Sequence, residues 1–339
     1  MKIAIVRLSA LGDIIQTAIC LQFIKKFKQD TQIHWFVDER FKELLEDHPL
    51  IDKVYALPLK DKKILKVLKI LHRARKNEYD LVVDFQGLVK SALVSRALSV
   101  NNFGFDKYSL KESLAANFYN QKFYSNYDEN VFLRYLNLIS YVFNESFELD
   151  DLRLKEPIFK AKEGIKQTLV QRLALKKDDK NILIHVGSSV ENKIYPKERL
   201  AILINLILKH YEQARIFLAW GNDKELKFSK DLLASCVASQ RLEILQKLSL
   251  QELIAMTKLS SLVIGNDSGP THLAFAMNKP SITIFGATPS GRNAFATPIN
   301  RVIDSGKKIL HAKHLDKSDF CIQNVDEDKI FELTKELLG

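Results

Sequence analysis

Apolar residues fall in short unbroken runs, separated by stretches where they recur every three or four positions. The runs at 2–6, 32–37, 53–57, 81–85 and 102–105 predict strands. The periodic stretches at 14–28, 39–46, 64–76 and 88–97 predict the helices between them. Strands alternating with helices in this way predict an α/β fold, a parallel sheet with helices on both faces. The alternation weakens over 147–180, where an acidic stretch, Pro157 and a charged run follow one another. It restarts with strands at 181–185, 215–219, 261–264 and 281–285 and helices at 198–210, 223–234 and 250–258.

A chain of 339 residues exceeds the length at which one core keeps growing. The pattern therefore predicts two doubly wound, Rossmann-like domains, at 1–160 and 181–325, with 161–180 as a linker. Sheets in tandem predict a central cleft at their carboxyl ends, where such folds bind ligands. An amphipathic helix at 326–339 closes the chain, free to pack back on either domain, the N-terminal one included. The triplet Asp326-Glu327-Asp328 opens that helix and reads as a set of dipole partners rather than a metal site.

Composition narrows the function classes. The excess of 51 Lys+Arg over 41 Asp+Glu gives a net charge of +10, which favours anionic partners. Basic and aromatic residues do not interleave, and no nucleic-acid motif is present, so nucleic acid is not the expected partner. Three distant cysteines, Cys20, Cys236 and Cys321, suggest neither a disulfide framework nor a zinc site, and a cytoplasmic setting fits. No apolar run reaches spanning length, so any membrane contact is expected to be peripheral.

The most informative stretch is Ser-Leu-Val-Ile-Gly-Asn-Asp-Ser-Gly-Pro-Thr-His at 261–272. It reads as a strand, a tight turn and a helix beginning at Pro270, a residue suited to a helix's first position. Free N–H groups at such a start, and the positive end of the dipole, suit a phosphate. A plain connection with an aspartate cap has the same spacing, so the turn alone decides nothing.

Three segments together resemble the bacterial heptosyltransferases of lipopolysaccharide core synthesis, glycosyltransferase family 9. They are Arg-Leu-Ser-Ala-Leu-Gly-Asp at 7–13, Asp-Phe-Gln-Gly-Leu-Val-Lys-Ser at 84–91 and Gly-Asn-Asp-Ser-Gly-Pro-Thr-His at 265–272, with further support from Gly104-Phe-Asp and Ser109-Leu-Lys-Glu112. The likeness is strongest to the members that add the first heptose. It implies the two-domain GT-B fold and inverting transfer of heptose from ADP-heptose to the octulosonate region of Kdo-lipid A. The setting it implies is peripheral, on the cytoplasmic face of the inner membrane, with no metal or other cofactor.

The resemblance also distributes roles. Asp13, beside Gly12, becomes the general base on the acceptor hydroxyl, although its position also suits a helix N-cap. Ser188, Ser189 and Lys193 fall to the donor phosphates, Lys193 neutralising leaving-group charge. Asp267, Ser268, Gly269, Thr271 and His272 fall to the diphosphate and sugar, with Asp267 anchoring sugar hydroxyls. Glu225 is matched to the ribose diol, and Lys247 and Leu248 to the adenine. Gln86, Lys90 and Lys111 lie in motifs on the acceptor side. Lys60, Lys62, Lys63, Lys66, Lys69, Arg73, Arg75 and Lys76 form a basic concentration that serves either an anionic acceptor or simply a solvated face, with Lys60 and Lys63 as the candidate contacts. Tyr195 departs from the tryptophan usual before Pro196. A transferase acting on an already heptosylated acceptor, and a non-catalytic nucleotide-sugar sensor, remain the alternatives.

Overall fold

The computed structural model describes residues 1–60, 63–237, 239–309, 312–313 and 316–339. Lys62, one of the basic residues singled out above, lies outside the described residues. Two compact units, Met1–Ile158 and Phe159–Gly339, each contain one six-stranded parallel sheet.

The first sheet comprises β1 (Lys2–Val6), β2 (Gln32–Asp38), β3 (Lys53–Leu57), β4 (Leu81–Asp84), β5 (Asn102–Phe105) and β6 (Gln121–Phe123), in the order β3-β2-β1-β4-β5-β6. Ile3 pairs with Ile33 on one side and Leu81 on the other, and Val6 with Phe36 and Asp84. The central strands read as unbroken apolar runs because helices cover both faces of the sheet. On one face Ala4, Val6, Phe36 and Val82 meet Leu71 and Ala74 of the helix Ile64–Arg75, with Val67 and Ile70 partly buried beside them.

The second sheet comprises β7 (Lys180–His185), β8 (Ala214–Ala219), β9 (Leu242–Ile244), β10 (Leu262–Asn266), β11 (Ser281–Phe285) and β12 (Asn300–Asp304), in the order β12-β11-β10-β7-β8-β9. Counted from its own first strand this is again 3-2-1-4-5-6, the Rossmann order. Each sheet therefore reverses winding direction between its first and fourth strands, β1 and β4 in one unit and β7 and β10 in the other. The loops that leave those strands flank the crevice where such sheets bind ligands.

Three expectations change, and one open alternative is decided. The helix predicted at 14–28 begins at Leu11 and runs as Leu11–Ala18 and Cys20–Phe27, with Ile19 still helical between them. Asp13 is thus a third helical residue, and Ala10 holds the cap position. Pro270 is likewise the second residue of its helix, Gly269–Ala276, after Ser268 as cap. The expected linker 161–180 contains the helix Glu163–Arg172, which belongs to the second unit. Leu169 and Leu173 are buried in that unit's core with Leu183 and Phe217, and Arg172 pairs with Glu252 at 2.9 Å. Ile165 packs beside the two leucines, so the spacing i, i+4, i+8 marks the apolar side of an otherwise polar segment. Finally, of the two placements open to it, the terminal helix Glu327–Leu338 packs on the helix Lys197–His210 of its own unit. Buried Ile330, an ion pair between Arg199 and Glu327, and a hydrogen bond from Tyr195 Oη to Val325 O at 2.8 Å hold it there. Asp326 caps this helix by accepting from the Asp328 N–H at 3.0 Å, as its dipole reading requires.

Candidate functional site

Every candidate residue lies on a segment that follows a strand, so all of them belong to the carboxyl-edge connections of their own parallel sheets. In the first unit, Gly12 and Asp13 follow β1, Lys60 and Lys63 follow β3, Gln86 and Lys90 follow β4, and Lys111 follows β5. In the second, Ser188, Ser189 and Lys193 follow β7, Glu225 follows β8, Lys247 and Leu248 follow β9, and the segment 267–272 follows β10.

At the first unit's winding reversal, Asp13 is held by two groups. Its Oδ1 meets Arg7 Nη2 at 2.8 Å, and its Oδ2 accepts from the Ala10 N–H at 3.1 Å. The side chain stays 44% exposed. A carboxylate offers about four lone-pair sites, so a ligand hydroxyl finds acceptor capacity here. Arg7 is buried, donates to Phe85 O at 2.7 Å and lies over the Tyr135 ring. Burial opposes its charge, but the Asp13 carboxylate, followed by Tyr135 and Asp84, raises its pKa overall. Arg7 fixes the direction of Asp13, a role that sequence reading did not give it. A lone arginine immediately beyond a buried strand was the available signal.

Gln86 joins the two loops of this reversal. Its Oε1 accepts from the Leu8 N–H at 2.8 Å, and its Nε2 lies 3.4 Å from Ser9 Oγ. Below it, fully buried Asp84 accepts from the N–H groups of Gln86 (2.8 Å) and Gly87 (3.3 Å) and from Tyr119 Oη (2.7 Å). Burial raises the Asp84 pKa, and these neutral donors only partly offset it. Glu112 accepts from the Val89 N–H at 2.8 Å, tethering the loop of Lys111 to the start of the helix Val89–Leu98 that carries Lys90. Lys60, Lys63, Lys90 and Lys111 are exposed.

The second unit's reversal is built around Asp267, which is 5% exposed at its side chain. Its Oδ2 accepts from Lys193 Nζ (2.6 Å), Thr288 Oγ1 (2.8 Å) and Asn293 Nδ2 (3.2 Å), and its Oδ1 lies 3.0 Å from His272 Nε2. Burial alone would raise the Asp267 pKa; the His272 hydrogen bond and the Lys193 charge more than reverse this and hold it well below the usual carboxylate range. The carboxylate assigned by resemblance to sugar hydroxyls is thus committed chiefly to the protein's own side chains. Ser188 Oγ donates to Asp267 O at 3.3 Å, while Ser189 is exposed. Thr271 Oγ1 donates to Asn266 O at 2.8 Å and lies 3.3 Å from Ser268 Oγ, folding the turn beneath the helix start. Gly265 has no room for a side chain, since a Cβ would stand 2.6 Å from Thr271 Oγ1. The first N–H groups of the helix Gly269–Ala276 are the donors that every helix start leaves without intrahelical partners. His185, ending β7, is buried, which pushes its pKa down to about 3 and keeps it neutral.

Thr288 and Asn293 went unnoticed in the sequence. Their signal was the Gly286-Ala-Thr-Pro-Ser-Gly291 turn directly after β11, a second small-residue turn beside the first.

Glu225 accepts from the Gly221 N–H at 2.6 Å and Asn222 Nδ2 at 2.7 Å. Its carboxyl group covers Gly187, where a Cβ would stand 2.1 Å from Glu225 Cδ. The β7 and β8 loops therefore touch. Lys247 is exposed, and Leu248 packs on the core. Tyr195 is buried, its N–H bonded to Asn266 Oδ1 at 3.0 Å. Among the described residues no cluster of three His, Cys, Asp or Glu could hold a metal ion, and no helix is long and apolar enough to cross a membrane.

Paired Rossmann-order sheets with these loops define a GT-B glycosyltransferase fold. The Escherichia coli heptosyltransferase WaaC solved with ADP superposes with a TM-score of 0.75 at 22% identity, covering 99% of this chain and 100% of that one. A family 9 glycosyltransferase from Veillonella parvula gives 0.80 at 17% identity, covering 99% and 97%. The chain belongs to glycosyltransferase family 9, the heptosyltransferases, whose family model matches residues 67–319. Lipopolysaccharide heptosyltransferase 1 of Campylobacter coli is 62% identical over 340 residues, covering 100% of this chain and 99% of that protein.

Proposed function

We propose that this glycosyltransferase moves heptose from ADP-heptose to the octulosonate region of Kdo-lipid A, with inversion, at the cytoplasmic face of the inner membrane. The observation that carries the choice of substrates is the full-length likeness to the Campylobacter coli heptosyltransferase 1.

In this reading an acceptor hydroxyl attacks the anomeric carbon as the bond from that carbon to the diphosphate oxygen breaks. The hydroxyl proton passes to Asp13, and the bonding electron pair leaves with ADP. Arg7 and the Ala10 N–H aim the carboxylate. The diphosphate lies over the start of the helix Gly269–Ala276, with Ser188, Ser189, Ser268, Thr271 and Lys193 around it. Asp267, itself fixed by Thr288 and Asn293, holds Lys193 in place, while Glu225 takes the ribose hydroxyls and Lys247 and Leu248 border the adenine. Gly12, Gln86, Lys90, Lys111, Lys60 and Lys63 serve the acceptor. No metal has a role in this scheme, so a chelator leaves the rate unchanged; loss restored only by a divalent ion contradicts that part.

The test offers ADP-heptose with two purified acceptors in parallel, one ending in octulosonate and one already carrying a heptose. Product on the octulosonate acceptor alone is expected. Product only on the heptosylated acceptor would reassign the step, and donor binding without product on either would favour a nucleotide-sugar sensor.

A further inference from the structure

The helix Ile64–Arg75 uses Val67, Ile70, Leu71 and Ala74, spaced i, i+3, i+4 and i+7, to pack on the first unit's core. That leaves three large apolar side chains of its first two turns in water. Ile64 is 67% exposed, Leu65 76% and Leu68 54%. At 3.6 residues per turn these three share an arc of about 100° next to the buried face. Scattered exposed leucines are ordinary, but a contiguous group marks a contact surface.

The surrounding charge is of one sign. Lys63, Lys66 and Lys69 line a surface hollow of about 510 Å³ together with Ile64 and Leu65. The helix carries Lys66, Lys69, Arg73 and Arg75 and no acidic residue. An apolar strip bordered by cations on an amphipathic helix suits an anionic bilayer, whose acyl boundary takes the strip while its phosphates take the cations. A second copy of the chain would bring like charges together.

We propose that the start of this helix seats the first unit on an anionic membrane surface, with Ile64, Leu65 and Leu68 entering the headgroup boundary and Lys66 and Lys69 meeting lipid phosphates. The helix follows β3, so it starts at the same carboxyl edge of the sheet as the Asp13 loop. Strand β3 is two strands from β1, about 10 Å at the usual strand spacing. A seated helix start therefore brings the Asp13 edge to the lipid surface. This rests on the reading above that the acceptor is a membrane lipid, and adds the surface by which the enzyme finds it.

The test floats the full chain with acceptor-free liposomes of phosphatidylcholine alone or mixed with phosphatidylglycerol. Binding that requires phosphatidylglycerol is expected. The triple variant Ile64→Ser/Leu65→Ser/Leu68→Ser should lower it about tenfold or more, and Lys66→Glu/Lys69→Glu should abolish the anionic preference. These exposed changes should leave the circular dichroism melt unaltered. On a delipidated, water-soluble octulosonate acceptor the apolar triple variant should keep wild-type turnover. Three results would overturn the proposal: equal liposome binding by the wild type and the triple variant, loss of turnover on the soluble acceptor with the triple variant alone, or a dimer that the triple variant dissolves. If the wild type binds liposomes as expected but never uses the soluble acceptor, the substrate reading fails while the membrane surface stands.

Discussion

The two units end their fourth strands at a buried aspartate, and they treat it in opposite ways. Asp84, the last residue of β4, is surrounded by neutral donors, and burial raises its pKa. Asp267, one residue beyond β10, faces the Lys193 ammonium and the His272 ring, and its pKa is driven far down. The strand order is the same in both. Topology decides where the acid sits, and its partners decide whether its pKa is raised or lowered. In the first unit the carboxylate proposed as the base is instead Asp13, left 44% exposed one loop away; in the second the buried acid itself gathers Lys193, Thr288, Asn293 and His272.

The sharpest way to break this contrast is Asp267→Asn. It leaves Lys193 as a nearly buried cation facing an amide, so the second unit should lose about 3–5 kcal/mol. The chain's two tryptophans make this measurable. Trp35 is buried in the first unit and Trp220 lies in the second, so Trp35→Phe and Trp220→Phe backgrounds report urea unfolding of each unit separately. Loss confined to the Trp220 signal is expected, and equal loss in both would dissolve the contrast.

Lys193→Met should lower kcat/KM by about 10²–10³. Combined with Asp267→Asn it should restore part of the lost stability, since neither charge is then left alone, while activity stays low. Recovery of activity in the double variant would remove Lys193 from the leaving-group role.

Asp84→Asn should cost only about 1 kcal/mol in the Trp35 signal, because an amide oxygen still accepts from the Gln86 and Gly87 N–H groups. The two acids should also respond to pH with opposite sign. Asp267 has a folded pKa below its unfolded value of about 4, so its stabilisation is complete above that pH and lost as pH falls below it. Asp84 has a raised folded pKa, so it costs stability above that value, and the cost fades as pH falls toward about 4. Acid titration of the two single-tryptophan proteins should therefore show Asp267→Asn flattening the acid loss in the second unit. No flattening there would contradict the lowered Asp267 pKa.

The smallest effect expected is that of Gly187→Ala. Its methyl group displaces only the flexible end of Glu225, so melting should move little while KM for ADP-heptose rises several-fold. Unchanged KM would separate Glu225 from the donor.

Much of this architecture was legible because its determinants are local. Strands β1, β3 and β11 each carry a short apolar stretch, and their bounds follow from the sequence directly. Strands β6, β9 and β12 were missed. They are short or flank the sheets, Phe123 is the only residue of β6 that is not exposed, and none presents an unbroken apolar run. The site divides in the same way. Spacing showed the strand, turn and helix at 261–272, since turn chemistry is written in neighbouring residues, while the 187–196 loop and Asp13 were singled out by the family resemblance. Spacing could not show Tyr119 on Asp84, or Thr288 and Asn293 on Asp267, because those contacts are made only when separate segments fold together; Arg7 is close to Asp13 in sequence, but its direction follows from its burial. The terminal helix illustrates the limit most simply: its apolar face was plain, but Arg199, Tyr195 and the surface they present come from more than 120 residues upstream.

The division of labour between the two units is tested most directly by Asp13→Asn, measured for ADP-heptose affinity and for turnover on the octulosonate acceptor. The amide keeps the shape but cannot take a proton. The predicted result is donor affinity within about twofold of wild type and turnover lower by about 10²–10⁴. Turnover near the wild-type value would contradict Asp13 as the base, and lost donor affinity would contradict its separation from the donor site.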